Sequence, residues 1–135
     1  MPIIVNAGVL YSIVLKLSLS GKVAEFSLVD PNGEAVGAGI LGLLIYNDGT
    51  VCDDLFGTHS ADAICRSMGY IGHTSWTTGD EWLIQGDYEI KLDDVRCSSG
   101  AWNYCTFTSL HNCQHSEDVF LQCEGLSKYT SILRM

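Results

Sequence analysis

The residues best suited to chemistry are two acidic steps: Asp53-Asp54, directly after Cys52, and Asp93-Asp94, just before Cys97. Carboxylates this close repel one another unless a cation neutralises them, and hard oxygen donors favour Ca²⁺ or Mg²⁺ over transition metals. The competing reading is that Asp53 or Asp94 accepts backbone hydrogen bonds and caps a turn, as aspartate often does after a strand. Six cysteines, at positions 52, 65, 97, 105, 113 and 123, form an even set that points to disulfides in an oxidising compartment. The count alone leaves the pairing open. His111, Cys113 and His115 alternate closely enough to suggest zinc, but no Cys-x-x-Cys pair joins them and a strand would supply no fourth ligand.

The acidic steps need elements to hold them. Leu43-Leu44-Ile45-Tyr46 reads as a strand, Asn47-Asp48-Gly49 as a tight turn, and Thr50-Val51-Cys52 as the second arm of a hairpin that ends at Asp53. A short helix follows, with Ser60 as its N-cap, Asp62 in its first turn, and Gly69 as its stop. Ala61, Ile64, Cys65 and Met68 recur at helical spacing, so Cys65 faces the core. Ile71 to Asp87 has little regular period and reads as a long loop anchored by Trp76 and Trp82, whose expected role is core packing rather than ligand stacking. Tyr88 to Val95 is strand-like, with Ile90 and Leu92 on one face, and carries the second acidic step. Cys97 and Cys105 bracket a short loop, and Val119 to Cys123 is the last strand.

Upstream, Asp30-Pro31-Asn32-Gly33 is a turn signal and the glycine-rich stretch from Val36 to Gly42 should let the backbone bend. Val9, Tyr11, Ile13, Leu15, Leu17 and Leu19 alternate with serines and Lys16, which is strand periodicity. Ser20-Gly21-Lys22 turns into a second strand, Val23 to Val29. The segment lacks a basic start and is interrupted by Lys16, so it is read as a mature β-hairpin rather than a secretory leader or a membrane span. Residues 125–135 form a tail, either frayed or docked on a neighbour.

At 135 residues the chain fits one domain, and 47% hydrophobic against 17% charged residues argues against disorder. A net charge of -9 with only 7 Lys and Arg excludes a nucleic-acid-binding surface, so an anionic ligand would need a bridging cation. His59, His73, His111 and His115 stand in no nucleophile elbow, phosphate loop or zinc-hydrolase pattern, so no enzymatic activity is expected.

Four ordered stretches carry a family resemblance. Thr50-Val51-Cys52-Asp53-Asp54, the run from Ala61 to Tyr70, the run from Ile90 to Cys97, and His111-Asn112-Cys113-Gln114-His115-Ser116-Glu117-Asp118 together resemble the scavenger receptor cysteine-rich (SRCR) domain, in its six-cysteine group A form. The resemblance spans residues 25–124. It departs from the family pattern at Asn47-Asp48-Gly49, which replaces a tryptophan-glycine, in the short Cys105 to Cys113 interval, and at Val119-Phe120.

The resemblance implies an α+β fold in which a curved antiparallel sheet cradles one short helix, stapled by Cys52–Cys113, Cys65–Cys123 and Cys97–Cys105. Each bond would contribute on the order of 2 to 4 kcal/mol. Residues 1–24 would be an added N-terminal hairpin. In the family, positions matching Asp53, Asp54 and Glu117 form a calcium site, and a second site matches Asp93, Asp94 and Asn112. A Cys52–Cys113 bond would itself carry Asp53 and Asp54 toward Glu117. The function implied is an extracellular module, secreted or at the cell surface, that binds anionic glycan, lipid or protein partners through Ca²⁺, with Mg²⁺ as a substitute. The alternative is a structural subunit that self-associates or joins a larger extracellular assembly, using residues 1–24 for β-augmentation.

Overall fold

A computed structural model describes residues 25–126. The expected hairpin over 1–24 lies outside them, as does the tail from residue 127. Seven strands and one helix follow in the order β1 (Phe26–Val29), β2 (Gly42–Tyr46), β3 (Gly49–Val51), α1 (Thr58–Ser67), β4 (Tyr70–Thr77), β5 (Glu89–Cys97), β6 (Cys105–Thr108) and β7 (Phe120–Leu126). They form one sheet in the order β4-β7-β2-β3-β5-β6, with β1 paired to β2.

β2 is the strand on which the sheet turns. It pairs with β1 from Leu43 to Tyr46, with β7 at Gly42 and Leu43, and with β3 at Ile45 and Tyr46. Its run of apolar residues is explained by burial on both faces. Leu44 joins Leu28, Val51, Ile64, Leu92, Val95, Val119 and Leu121 in the main core under the helix. Leu43 and Ile45 join Val29 and Phe120 in a smaller core on the other face, covered by Trp82, Ile84 and Tyr88. Trp82 meets Phe120 edge-on at 4.7 Å and Trp76 meets Phe56 at 5.0 Å, so both tryptophans pack as expected.

The turn at Asn47-Asp48 forms as read, with φ of 47° and 68°, the doubly positive pattern of a tight hairpin turn. Gly49 is required there by proximity. A Cβ at this position would lie 2.7 Å from the Glu89 carbonyl and closer still to the Lys91 side chain.

Three expectations need correction. The sheet is mixed: β3 and β5 run parallel, with Thr50 opposite Ile90 and Val51 opposite Leu92. The helix starts at Thr58 with Gly57 as N-cap, which makes Ser60 a residue of the first turn and places Asp62 beyond it. Ser60 Oγ still serves the helix start by accepting the Gly57 N–H at 3.3 Å, and it donates to the Val95 carbonyl at 2.9 Å. This buried bond ties α1 to β5. Finally, the expected loop from Ile71 to Asp87 begins with an eight-residue strand and ends in a 3-10 turn, Leu83–Asp87. β4 carries few large apolar residues because only part of one face meets the core, so its period is faint. β7 also continues past Cys123 to Leu126.

Candidate functional site

Parallel pairing of β3 and β5 sets the geometry of the acidic residues. With Val51 opposite Leu92, the Asp53-Asp54 step, just past the end of β3, comes beside Asp93-Asp94, which are residues of β5 itself. The Cys52 N–H donates to the Leu92 carbonyl at 2.8 Å, which fixes that register at the point of departure. Oxygens of Asp54, Asp93 and Asp94 all lie within 4.8 Å of one another. They line an open depression of about 320 Å³ together with Leu110, His111 and Asn112.

The Cys52–Cys113 disulfide builds the other side. It draws the 113–118 segment against the end of β3, where Cys52 and Asp118 form an isolated bridge. Ligand atoms of Asp54 and Glu117 fall within a second group of the same 4.8 Å span, whose other members are the two bonded sulfurs. Disulfide sulfurs carry no thiolate charge, so oxygen is the only hard donor here. Asp54 thus belongs to both groups. Asp53, half-buried, stands outside both, with one oxygen 3.9 Å from Cys52 Sγ.

The electrostatics follow the same geometry. Partial desolvation and then the charges of Asp93, Glu117 and Asp53 push the Asp54 carboxyl above the usual aspartate range. Asp93 is 3% exposed, and its Oδ1 accepts the Asp94 N–H at 2.7 Å. Asp94 has φ of 55°, a conformation that aspartate tolerates better than most side chains. The Glu117 carboxylate accepts the Gln114 N–H at 2.8 Å, which orients it across its own turn.

Zinc is not supported by these residues. All six cysteines are paired, Cys113 among them, and His111 Nδ1 accepts the Cys113 N–H at 3.1 Å. His115 turns the other way, with Nδ1 at 2.8 Å from Asp118 Oδ2.

Asp118 is a support that the sequence reading passed over. It is fully buried, and its Oδ2 also accepts from Gln85 Nε2 at 3.0 Å, while Gln85 donates to the His115 carbonyl at 2.8 Å. One carboxylate thereby joins the 3-10 turn after β4 to the segment that carries Glu117. The only signal in the chain was an acidic residue beside the apolar run Val119-Phe120-Leu121. Asp118→Ala should lower stability by about 2 kcal/mol, because it leaves His115 Nδ1 without its carboxylate partner and Gln85 Nε2 with the His115 carbonyl alone. Asp118→Asn, which keeps one acceptor, should lose less; equal melting temperatures for wild type and Asp118→Ala would refute this role.

The features now assembled define a disulfide-stapled α+β module: a curled mixed sheet, one helix, three cross-links and an acidic depression. Residues 32–124 match the family model of the scavenger receptor cysteine-rich domain, and the chain belongs to the SRCR family, whose members are extracellular or cell-surface binding modules. The three bonds are those of the six-cysteine form.

Among curated relatives it is similar to lysyl oxidase homolog 2 of Homo sapiens, 36% identical over 86 residues that cover 58% of this chain and 11% of that protein. It is likewise similar to lysyl oxidase homolog 2 of Gallus gallus, 37% identical over 79 residues, or 56% of this chain and 10% of that one. The chain thus matches about a tenth of the length of these relatives. Among solved structures it resembles the third SRCR domain of murine neurotrypsin, with TM-score 0.57 and 30% identity over 77% of this chain and 99% of that one. The dimeric form of the SRCR domain of mouse MARCO aligns with TM-score 0.50 and 26% identity, covering 67% and 93%. Among the described residues, no helix is long and apolar enough to cross a membrane.

Proposed function

We propose that this chain is an extracellular, calcium-dependent ligand-binding module, secreted or displayed at a cell surface. Its partners are anionic groups on a glycan, a lipid or a protein. The observation that carries the reading is the shared position of Asp54 between Glu117 on one side and Asp93 and Asp94 on the other. Asp53 and Asn112 complete the proposed ligand set, Asp53 through its place beside Asp54 and Asn112 through its place in the depression. An all-oxygen set selects Ca²⁺, or Mg²⁺ with a smaller coordination number.

The balance of charge supports a bridging ion. Net charge is -9, so a polyanion would be repelled by the bare surface. Arg66, a candidate for direct anion binding, already donates to two backbone carbonyls, those of Ile71 and Gly100. A bound cation would offer open coordination positions at the rim of the depression, and an exposed site of this kind should have a Kd of roughly 10⁻⁴ to 10⁻³ M. Such a site fills outside cells and stays empty inside.

The test is binding of an immobilised sulfated polysaccharide at millimolar calcium, in magnesium, and in chelator. Binding should be present in calcium, weaker in magnesium and abolished by chelation. Binding that persists undiminished in chelator would rule out the bridging mechanism.

A further inference from the structure

A disulfide is exchanged only where a thiolate can reach one of its sulfurs, and the attacking thiolate carries a negative charge. Access and local charge therefore rank the three bonds of this domain. Cys65–Cys123 offers no access, because both residues are fully buried in the main core. Cys52 and Cys97 are buried as well, whereas their partners Cys113 and Cys105 are only half-buried among the described residues. Two bonds thus have one end at the surface.

Charge separates those two. At Cys52–Cys113 both sulfurs lie beside carboxylates, Cys113 Sγ at 3.7 Å from Asp54 Oδ2 and Cys52 Sγ at 3.9 Å from Asp53 Oδ1, with Glu117 in the same cluster. An approaching thiolate is repelled there. At Cys97–Cys105 the neighbour of Cys105 Sγ is the uncharged Ala101 carbonyl at 3.7 Å, and the exposed Arg96 directly precedes Cys97 in β5. Arg66 reaches the same loop at the Gly100 carbonyl, while the nearby Asp62 carboxylate is held by His73. Nothing in this set opposes an anion.

The bond also sits where its loss is tolerated. Cys97 and Cys105 face each other across the β5–β6 pair, and Arg96 opposite Thr106 and Asp93 opposite Thr108 continue that pairing without it. Its loop of 8 residues is the shortest of the three, so its share of the stability is the smallest. Strand pairing keeps the two sulfurs side by side after reduction, which favours closing the bond again. What loosens is the 98–104 loop, where the Ser98 N–H donates to the Tyr104 carbonyl at 3.1 Å and Trp102 packs on Phe26 at 4.9 Å and Phe107 at 5.5 Å.

We propose that Cys97–Cys105 is a reversible thiol–disulfide exchange site, opened by a dithiol while the other two bonds stay closed. A thiolate of the dithiol attacks Cys105 Sγ and forms a mixed disulfide, and the electron pair of the broken S–S bond leaves on Cys97 Sγ, which takes a proton from water. The second thiol of the dithiol then loses its proton, attacks the mixed disulfide and releases Cys105, which is protonated in turn. Two electrons pass to the domain, and the dithiol departs as a disulfide.

The experiment exposes the oxidised protein, at mildly alkaline pH and in chelator, to limiting dithiothreitol, alkylates it at intervals and maps the labelled cysteines by mass spectrometry. Cys97 and Cys105 should be labelled at least about tenfold faster than Cys52 and Cys113, a factor that like-charge repulsion at close range supplies. Protein labelled at these two alone should keep a cooperative melt, and its Ser98 amide should exchange at least about fivefold faster, as the loss of one net hydrogen bond allows. Cys97→Ser/Cys105→Ser should show the same exchange. Asp53→Asn/Asp54→Asn should lose most of the gap in labelling rate.

Earlier labelling of Cys52 and Cys113, or labelling of all the cysteines together, would overturn the proposal. So would loss of the cooperative melt once Cys97 and Cys105 alone are alkylated, since opening this bond would then unfold the domain. An unchanged gap in Asp53→Asn/Asp54→Asn would remove the charge argument on which the choice of bond rests. The labelling order in wild type decides the matter even if neither variant folds.

Discussion

Reduction of the three disulfides should abolish the cooperative thermal transition of the domain. Cys52–Cys113 and Cys65–Cys123 close loops of 61 and 58 residues, and Cys97–Cys105 closes one of 8. In the chain-entropy model the long loops contribute about 4 kcal/mol each and the short one about 2.5 kcal/mol. Domains of this size are stable by about 5–15 kcal/mol in total, so losing all three removes most or all of the margin. Placement adds to the effect. Cys52, Cys65 and Cys123 are fully buried, and Cys65 and Cys123 belong to the main core between α1 and β7.

The measurement is a calorimetric melt with and without reductant at fixed pH and calcium. Breaking bonds singly should rank them: replacing Cys65 and Cys123 by alanine should cost most, because it also removes buried sulfur from the core, and replacing Cys97 and Cys105 least. A reduced protein that melts with the same midpoint and enthalpy would contradict this account.

Much of the scaffold was legible because it rests on local signals. Asn47-Asp48 tolerates positive φ, the Ala61, Ile64 and Cys65 stripe has helical spacing, and Gly69 sits at φ 95° where the helix stops. Long-range pairing was a different matter. The direction of β3 against β5 leaves no trace in either segment, since Val51 and Leu92 would be buried whichever way the strands ran. Expecting an antiparallel sheet, the sequence reading kept the two acidic steps as separate sites. Parallel pairing is what brings them to a common depression and makes Asp54 a member of both groups. The β4 strand was missed because only part of one of its faces meets the core, which leaves its apolar period faint.

That shared position leads to the second large effect, which concerns Asp54. Among the described residues only this one contributes to both carboxylate groups, so Asp54→Asn should remove most of the stabilisation gained from calcium. At a calcium concentration about ten times Kd, wild type should gain about 1.4 kcal/mol, read as a rise in melting temperature of roughly 5–10 °C for a domain of this size. Asp53→Asn and Asp93→Asn each alter one side of the arrangement and should keep part of that rise. In the absence of calcium the sign reverses. The Asp54 carboxyl sits above its unfolded value, through desolvation and the neighbouring charges of Asp93, Glu117 and Asp53, so its ionisation opposes folding. Its contribution is fully present below the unfolded value and is lost as pH rises through the folded one. The calcium-free domain should therefore gain stability from this group on acidification through that range, and Asp54→Asn should melt at or above wild type near neutral pH in chelator. Calcium affinity should fall over the same acid range, because proton and cation compete for one carboxylate. An Asp54→Asn protein that keeps the full calcium-induced rise, while Asp53→Asn loses it, would transfer the central role to Asp53 and undo the argument from shared geometry.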